Sequence, residues 1–105
     1  MLEAKYQQHL KEEITRRWPR VLVLKTDPNY IQGFPDLLLF HLDKWAALEV
    51  KVSISSPQQP NQDWWVNTLN EMSYASFIFP ENEEQIIHEL ESALGLSRTA
   101  RFFEW

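Results

Sequence analysis

Two carboxylates and one ammonium stand out by type and spacing. Pro35-Asp36 is followed, thirteen residues after the aspartate, by Glu49-Val50-Lys51. Hydrolysis of a phosphodiester needs an activated water, an offset to the charge on phosphorus and a stabilised leaving oxygen. One or two hard divalent cations held by carboxylates supply all three. Mg²⁺ keeps several waters and takes only one or two protein carboxylates beside a phosphate oxygen. Asp36 and Glu49 match that demand, the Val50 carbonyl offers a third oxygen, and Lys51 is placed to orient water or meet charge developing on phosphorus. The plainer alternative is a surface hairpin with Glu49 and Lys51 as ordinary exposed residues. Against it, both charges interrupt an otherwise apolar run, Trp45 to Val52, where they are costly unless paired or ligated.

Two strands must position these groups. Asp36 to Leu42 and Trp45 to Ser53 pair as a hairpin around Asp43-Lys44. Glu49 and Lys51 then share one face of a strand, Val50 points to the other, and Asp36 comes alongside at the open end. Tyr6, Leu10, Ile14 and Trp18 recur at helical spacing, so residues 2–17 read as an amphipathic helix ended by Pro19. Val21 to Lys25 reads as a first strand, and Asp27-Pro28-Asn29 opens a loop running to Gly33. Residues 53–62 form a further loop. Asn61 is the expected cap of a helix from Gln62 to Met72 with Trp65, Leu69 and Met72 on its apolar stripe. A fourth strand, Tyr74 to Phe79, precedes a helix from Glu83 to Leu94, capped by Asn82, with Ile86, Ile87, Leu90 and Leu94 inward and Gly95 as its stop. The order helix, three strands, helix, strand, helix predicts one α/β domain over residues 1–105, layered around a small mixed sheet.

The chain has 105 residues, enough for a single core, and 44% of them are hydrophobic, as a globular fold requires. It contains no cysteine, which removes disulfides and thiolate metal sites. No apolar leader or bilayer-length run is present, so a soluble, intracellular, cytoplasmic protein with no membrane partner is expected. The net charge of −5 argues mildly against a nucleic-acid partner. The charges are unevenly placed, however. Lys5, Lys11, Arg16, Arg17 and Arg20 fall in the first twenty positions, and Glu81, Glu83, Glu84, Glu89 and Glu91 lie near the other end.

Three segments together, Gly33-Phe34-Pro35-Asp36-Leu37-Leu38, Ala47-Leu48-Glu49-Val50-Lys51 and Gln62-Asp63-Trp64-Trp65, resemble the PD-(D/E)xK nuclease superfamily. Within it they are most similar to small phage and bacterial nucleases of the VRR-NUC type, relatives of Holliday junction resolvases, and the order of elements resembles that restriction-endonuclease-like core over residues 1 to about 80. The resemblance implies Asp36 and Glu49 as ligands of Mg²⁺, with Mn²⁺ as its expected substitute, Lys51 as the catalytic lysine, and Gln62 as a residue touching water or phosphate. It also implies a glutamate from the first helix. Glu3 shares the face of Tyr6, Leu10 and Ile14; Glu13, nearer the edge of that stripe, is the alternative. Gln58 and Gln59 are lesser candidates for the role of Gln62.

Arg16, Arg17, Arg20 and Lys25 are candidates for holding a DNA backbone, and Trp64 for stacking on unpaired bases, although a solvated face and a core tryptophan are the ordinary readings. His41 is expected to pack, and His9 and His88 to lie on the surface. The apolar tail, Phe102, Phe103 and Trp105, would fold back or dock on a second subunit, and a resolvase-like enzyme would favour a twofold dimer. The expected function is a metal-dependent endonuclease of phage or mobile-element type acting on branched or structured DNA. The alternatives are a catalytically silent binding or regulatory module on the same fold, and an adaptor that uses the aromatic tail.

Overall fold

The computed structural model describes residues Leu2 to Leu96; the aromatic tail lies outside them. Seven elements follow in order: α1 (Glu3–Arg17), β1 (Leu22–Lys25), β2 (Leu37–His41), β3 (Lys44–Val50), α2 (Gln62–Met72), β4 (Ala75–Ile78) and α3 (Glu83–Leu94). The strands form one sheet in the order β1-β2-β3-β4. The first two pairings are antiparallel and β3 with β4 is parallel, so the sheet is mixed. The β3-to-β4 crossover is α2 and the loop before it, the kind of connection a parallel pair requires.

The side-chain alternation of the strands divides the core. Leu37, Leu39, Ala46, Leu48, Val50 and Ile78 face α1 and α3, where they bury Tyr6, Leu10, Ile14 and Leu90. Ala47 and Ala75 face α2 and bury its Val66 and Leu69, with Phe34, Leu38, Trp45, Trp65 and Phe77 packed around them. Alanine on this second face lets α2 sit close to the middle of the sheet. Glu49 and Lys51 have the parity of Ala47, so they point to the α2 side and lie under the start of that helix.

Several local expectations need correction. The hairpin turn is Leu42-Asp43, because His41 pairs with Lys44, and Leu42 takes a left-handed φ of 59°. β3 ends at Val50, with Lys51 just beyond it. The apolar stripe of α2 is Val66 and Leu69 with a half-buried Trp65, and Met72 is exposed. Asn61 and Asn82 precede their helices as expected, but neither side chain caps one. Asn61 is left-handed (φ 71°), and Asn82 instead ties the end of β4, accepting from Phe79 N at 2.9 Å and donating to Phe77 O at 3.2 Å. No helix among the described residues is long and apolar enough to cross a membrane.

The loop before β2 is clamped to the loop before α2 at Gly33. Its φ is +84°, and a Cβ there would fall 2.5 Å from the Pro60 carbonyl oxygen and 2.9 Å from Asn61 Cβ. Only glycine allows this approach. Gly33→Ala is therefore expected to lower stability by about 1–3 kcal/mol or more, whereas Asn61→Gly should change it by only a few tenths of a kcal/mol, roughly. Urea denaturation of the two variants checks the contrast.

Candidate active site

The antiparallel register that sets Leu37 opposite Leu48 brings Asp36 opposite Glu49 one step further along. Beyond that pair the ladder changes. Ala47 N and Lys51 N donate to Tyr74 O and Ile78 O of the neighbouring segment, so alternation turns the N–H and C=O of Val50 toward β2. The residue they meet in this register is Pro35, which has no N–H to offer the Val50 carbonyl. Val50 N donates instead to Asp36 Oδ2 at 2.8 Å. One bond thereby fixes the Asp36 carboxylate beside a carbonyl whose ladder donor is missing. Thr26 braces the same segment from β1's end, its N–H donating to Asp36 O at 2.8 Å and its Oγ1 to Pro35 O at 2.7 Å.

Glu49 is 3% exposed, Lys51 8% and Gln62 8%. Gln62 opens α2 and links the other two. Its Nε2 donates to Glu49 Oε2 at 2.9 Å, and its Oε1 accepts from Lys51 Nζ at 2.8 Å and from Gln59 N at 2.8 Å. Lys51 Nζ also donates to Pro57 O at 3.0 Å and lies 4.0 Å from Glu49 Oε2. Every one of these contacts is on one side of Glu49. Its other oxygen, Oε1, is buried and accepts from no donor, and the carboxyl hydrogen-bonds to the Asp36 side chain when it carries a proton. Burial, and after it the neighbouring Asp36 carboxylate, pushes the Glu49 pKa up to about 9, with Lys51 opposing. Glu3 sits in the same field. Its carboxyl is raised by burial and then by Asp36, with Lys51 and Lys25 pulling the other way.

The α1 carboxylate belonging to this neighbourhood is thus Glu3. Glu13 is three turns away and engaged by Arg16 and by Arg17 Nε at 3.2 Å. Between Glu3 and β1 stands a residue that the sequence reading passed over. Gln7 is buried, donates to Glu3 Oε2 at 3.4 Å and accepts from Lys25 Nζ at 2.7 Å. The available signal was its position on the apolar stripe, four residues from Glu3 and three from Leu10. Thr26 and the Pro57 carbonyl carried no comparable signal.

The proposed cationic residues are separated. Lys25 is beside Gln7 and Glu3. Arg16 and Arg17 lie at the opposite end of α1, about 20 Å along the axis from Glu3, and share Glu13. Arg20 is exposed beyond that end. Trp64 is 60% exposed on the first turn of α2. Gln59 contributes only its backbone N–H, and the Gln58 amide, oriented to satisfy both groups, donates to Asp63 at 2.8 Å. His41 packs, as its apolar neighbours suggested, with Nδ1 2.6 Å from Leu94 O. A groove of about 1360 Å³ between α1 and α3 includes none of Asp36, Glu49, Lys51 or Gln62.

The donor set offered to an ion is therefore Asp36, Glu49 Oε1 and the Val50 carbonyl, all hard oxygens suited to Mg²⁺ or Mn²⁺. Among the described residues, no group of three or more His, Cys, Asp or Glu side chains is arranged to hold a metal, so Glu3 does not complete a carboxylate triad. No family model, curated protein or solved structure matches the chain.

The raised Glu49 pKa has a consequence for stability without added cation. A carboxyl that binds its proton more tightly folded than unfolded stabilises fully below its unfolded value, 4.5, and loses that contribution as pH rises toward about 9. The urea midpoint in EDTA is expected to fall across this window, and Glu49→Gln, which cannot ionise, should flatten the fall. Equal slopes in both proteins would contradict the assignment.

Proposed function

We propose that the protein is a metal-dependent endonuclease that hydrolyses phosphodiester bonds in DNA, with branched or structured DNA as its preferred substrate. The observation that carries this reading is the two-sided environment of Glu49. One oxygen is held by Gln62, beside the Lys51 ammonium, and the other is buried without a donor, facing Asp36 of the Pro35-Asp36 segment that leads into β2. Glu49 with its proton donates to Asp36, so the two carboxyls share one proton at a place where a cation could take over that charge-offsetting role. A buried acid that favours its proton at neutral pH can exchange that proton for a cation, regaining charge where the cation lies.

A bound Mg²⁺ or Mn²⁺ would supply Lewis-acid activation of water and offset charge on the scissile phosphate. The chain's own groups divide the remaining work. Asp36 and Glu49 Oε1 hold the ion, with the Val50 carbonyl as third oxygen. Gln62 keeps Glu49 Oε2 turned away from it. Lys51, positioned by Gln62 and the Pro57 carbonyl, presents its ammonium on the α2 side of the same site, where it orients the attacking water or meets the charge on phosphorus. Glu3 would add a further negative group to the field of the site. Cutting two strands symmetrically would call for two such sites, hence a twofold dimer.

The test is cleavage of labelled linear, flap and four-way DNAs in Mg²⁺, Mn²⁺ and EDTA. Cleavage is expected only with the cation. Asp36→Asn, Glu49→Gln and Lys51→Ala should each reduce it by at least about 10²-fold, with helical content unchanged by circular dichroism. Gln62→Ala should lose less, because it acts through its neighbours. Undiminished cleavage by all three primary variants would eliminate the mechanism.

A further inference from the structure

Beside the candidate site is an aromatic stack that the proposed chemistry does not use. Phe34 sits two residues before Asp36, and Trp65 three residues after Gln62. Their rings meet edge to face, with centroids 5.0 Å apart at 72°. Trp64 continues the series on Trp65 at 4.9 Å and 86°. The stack grades outward. Phe34 and Trp65 are half-buried against the α2 face of the sheet, and Trp64 is 60% exposed. The Gly33 clamp against Pro60 and Asn61 and the Gln62 bridge to Glu49 and Lys51 hold in place the two backbone segments that carry the stack. Trp64 follows Gln62 by two residues on the first turn of α2, and its large indole stands on the solvent side of that helix.

We infer that Trp64 is a stacking platform for an unpaired nucleobase, and that the site takes strands with unstacked nucleotides next to the bond to be cut. The choice of nucleic acid as occupant rests on the reading given under Proposed function. The rest is a matter of shape and charge. A paired base inside a duplex has no free π-face, whereas an unpaired one does, and stacking on an exposed aromatic is tolerant of sequence. The buried base of the stack means that Trp64 gives up little side-chain freedom when a base lands on it. Asp63, next to it and exposed, carries the same sign as an incoming backbone.

Binding of a fluorescently labelled oligothymidylate and of a blunt duplex, measured by anisotropy in EDTA, tests this apart from cleavage. Trp64→Ala is expected to weaken oligothymidylate binding about 5- to 150-fold and leave duplex binding unchanged, Trp64→Phe to retain most of it, and Asp63→Asn to tighten it. Oligothymidylate binding that Trp64→Ala leaves intact, or lowers only in step with duplex binding, overturns the inference. So does selective binding of an arginine-rich peptide that both Trp64→Ala and Asp63→Asn weaken, which would mark a cationic partner. The two readings can fail separately. Trp64-dependent binding without metal-dependent scission removes the nuclease and keeps the platform, and scission and binding indifferent to Trp64 do the reverse.

Discussion

A carboxylate with one oxygen satisfied and the other buried without a donor is the constraint around which this domain is organised. Protein interiors rarely leave such an atom, because a buried acceptor stripped of water loses more than an ordinary hydrogen bond returns. Here the situation is maintained from several directions. Leu48 and Val50 on either side of Glu49 are fully buried on the opposite face of the sheet, so the strand cannot rotate the carboxylate out without exposing them. Gln62 pins Oε2, and Gln62 is in turn held by Lys51 and the Gln59 N–H. With both neighbouring positions fixed, the free oxygen faces Asp36 by default, and burial together with that second carboxylate favours a proton on Glu49.

The mixed sheet is what brings these groups together. Its antiparallel half delivers Asp36 to Glu49 by register, and its parallel half requires the crossover that places the start of α2 over the same end of β3. Pro35, in the segment just before β2, stands where a missing N–H frees the Val50 carbonyl and leaves the Val50 N–H for Asp36. The proline before the aspartate therefore has a structural reason that does not depend on any resemblance. Glycine has a matching role on the other loop contact, since the Gly33 approach to Pro60 joins the two loops that frame the site.

Much of this was legible in the sequence, and the misses share a cause. All seven elements were legible, the helices from their periodic apolar stripes and the strands from short apolar runs, although β1 leaves Leu22 and Leu24 exposed. Glu49 and Lys51 were conspicuous for the same reason that they are buried: charges inside an apolar strand. Asp36 followed from hairpin pairing. Gln7 went unread because a glutamine is a good surface helix residue, and its burial between Glu3 and Lys25 depends on where β1 runs. Asn61 and Asn82 were placed correctly but given the wrong bonds: Asn61 is left-handed, and the Asn82 Oδ1 is taken by a competing donor, the Phe79 N–H at the end of β4. Arg16 and Arg17 formed a basic group on paper. In three dimensions the helix length removes them from the site, and Glu13 between them offsets their charge. Met72 lies at the last position of α2, three residues beyond Leu69, the last buried residue of that helix.

The central claim is spatial: a cation seated between Asp36, Glu49 Oε1 and the Val50 carbonyl. Anomalous diffraction from crystals grown with Mn²⁺ measures it directly. The account expects a peak about 2.1 Å from oxygens of all three residues, with Glu49 Oε2 still bonded to Gln62. A peak bound elsewhere, or a well-ordered site with Glu49 Oε1 accepting from another protein group and no ion beside it, would contradict it.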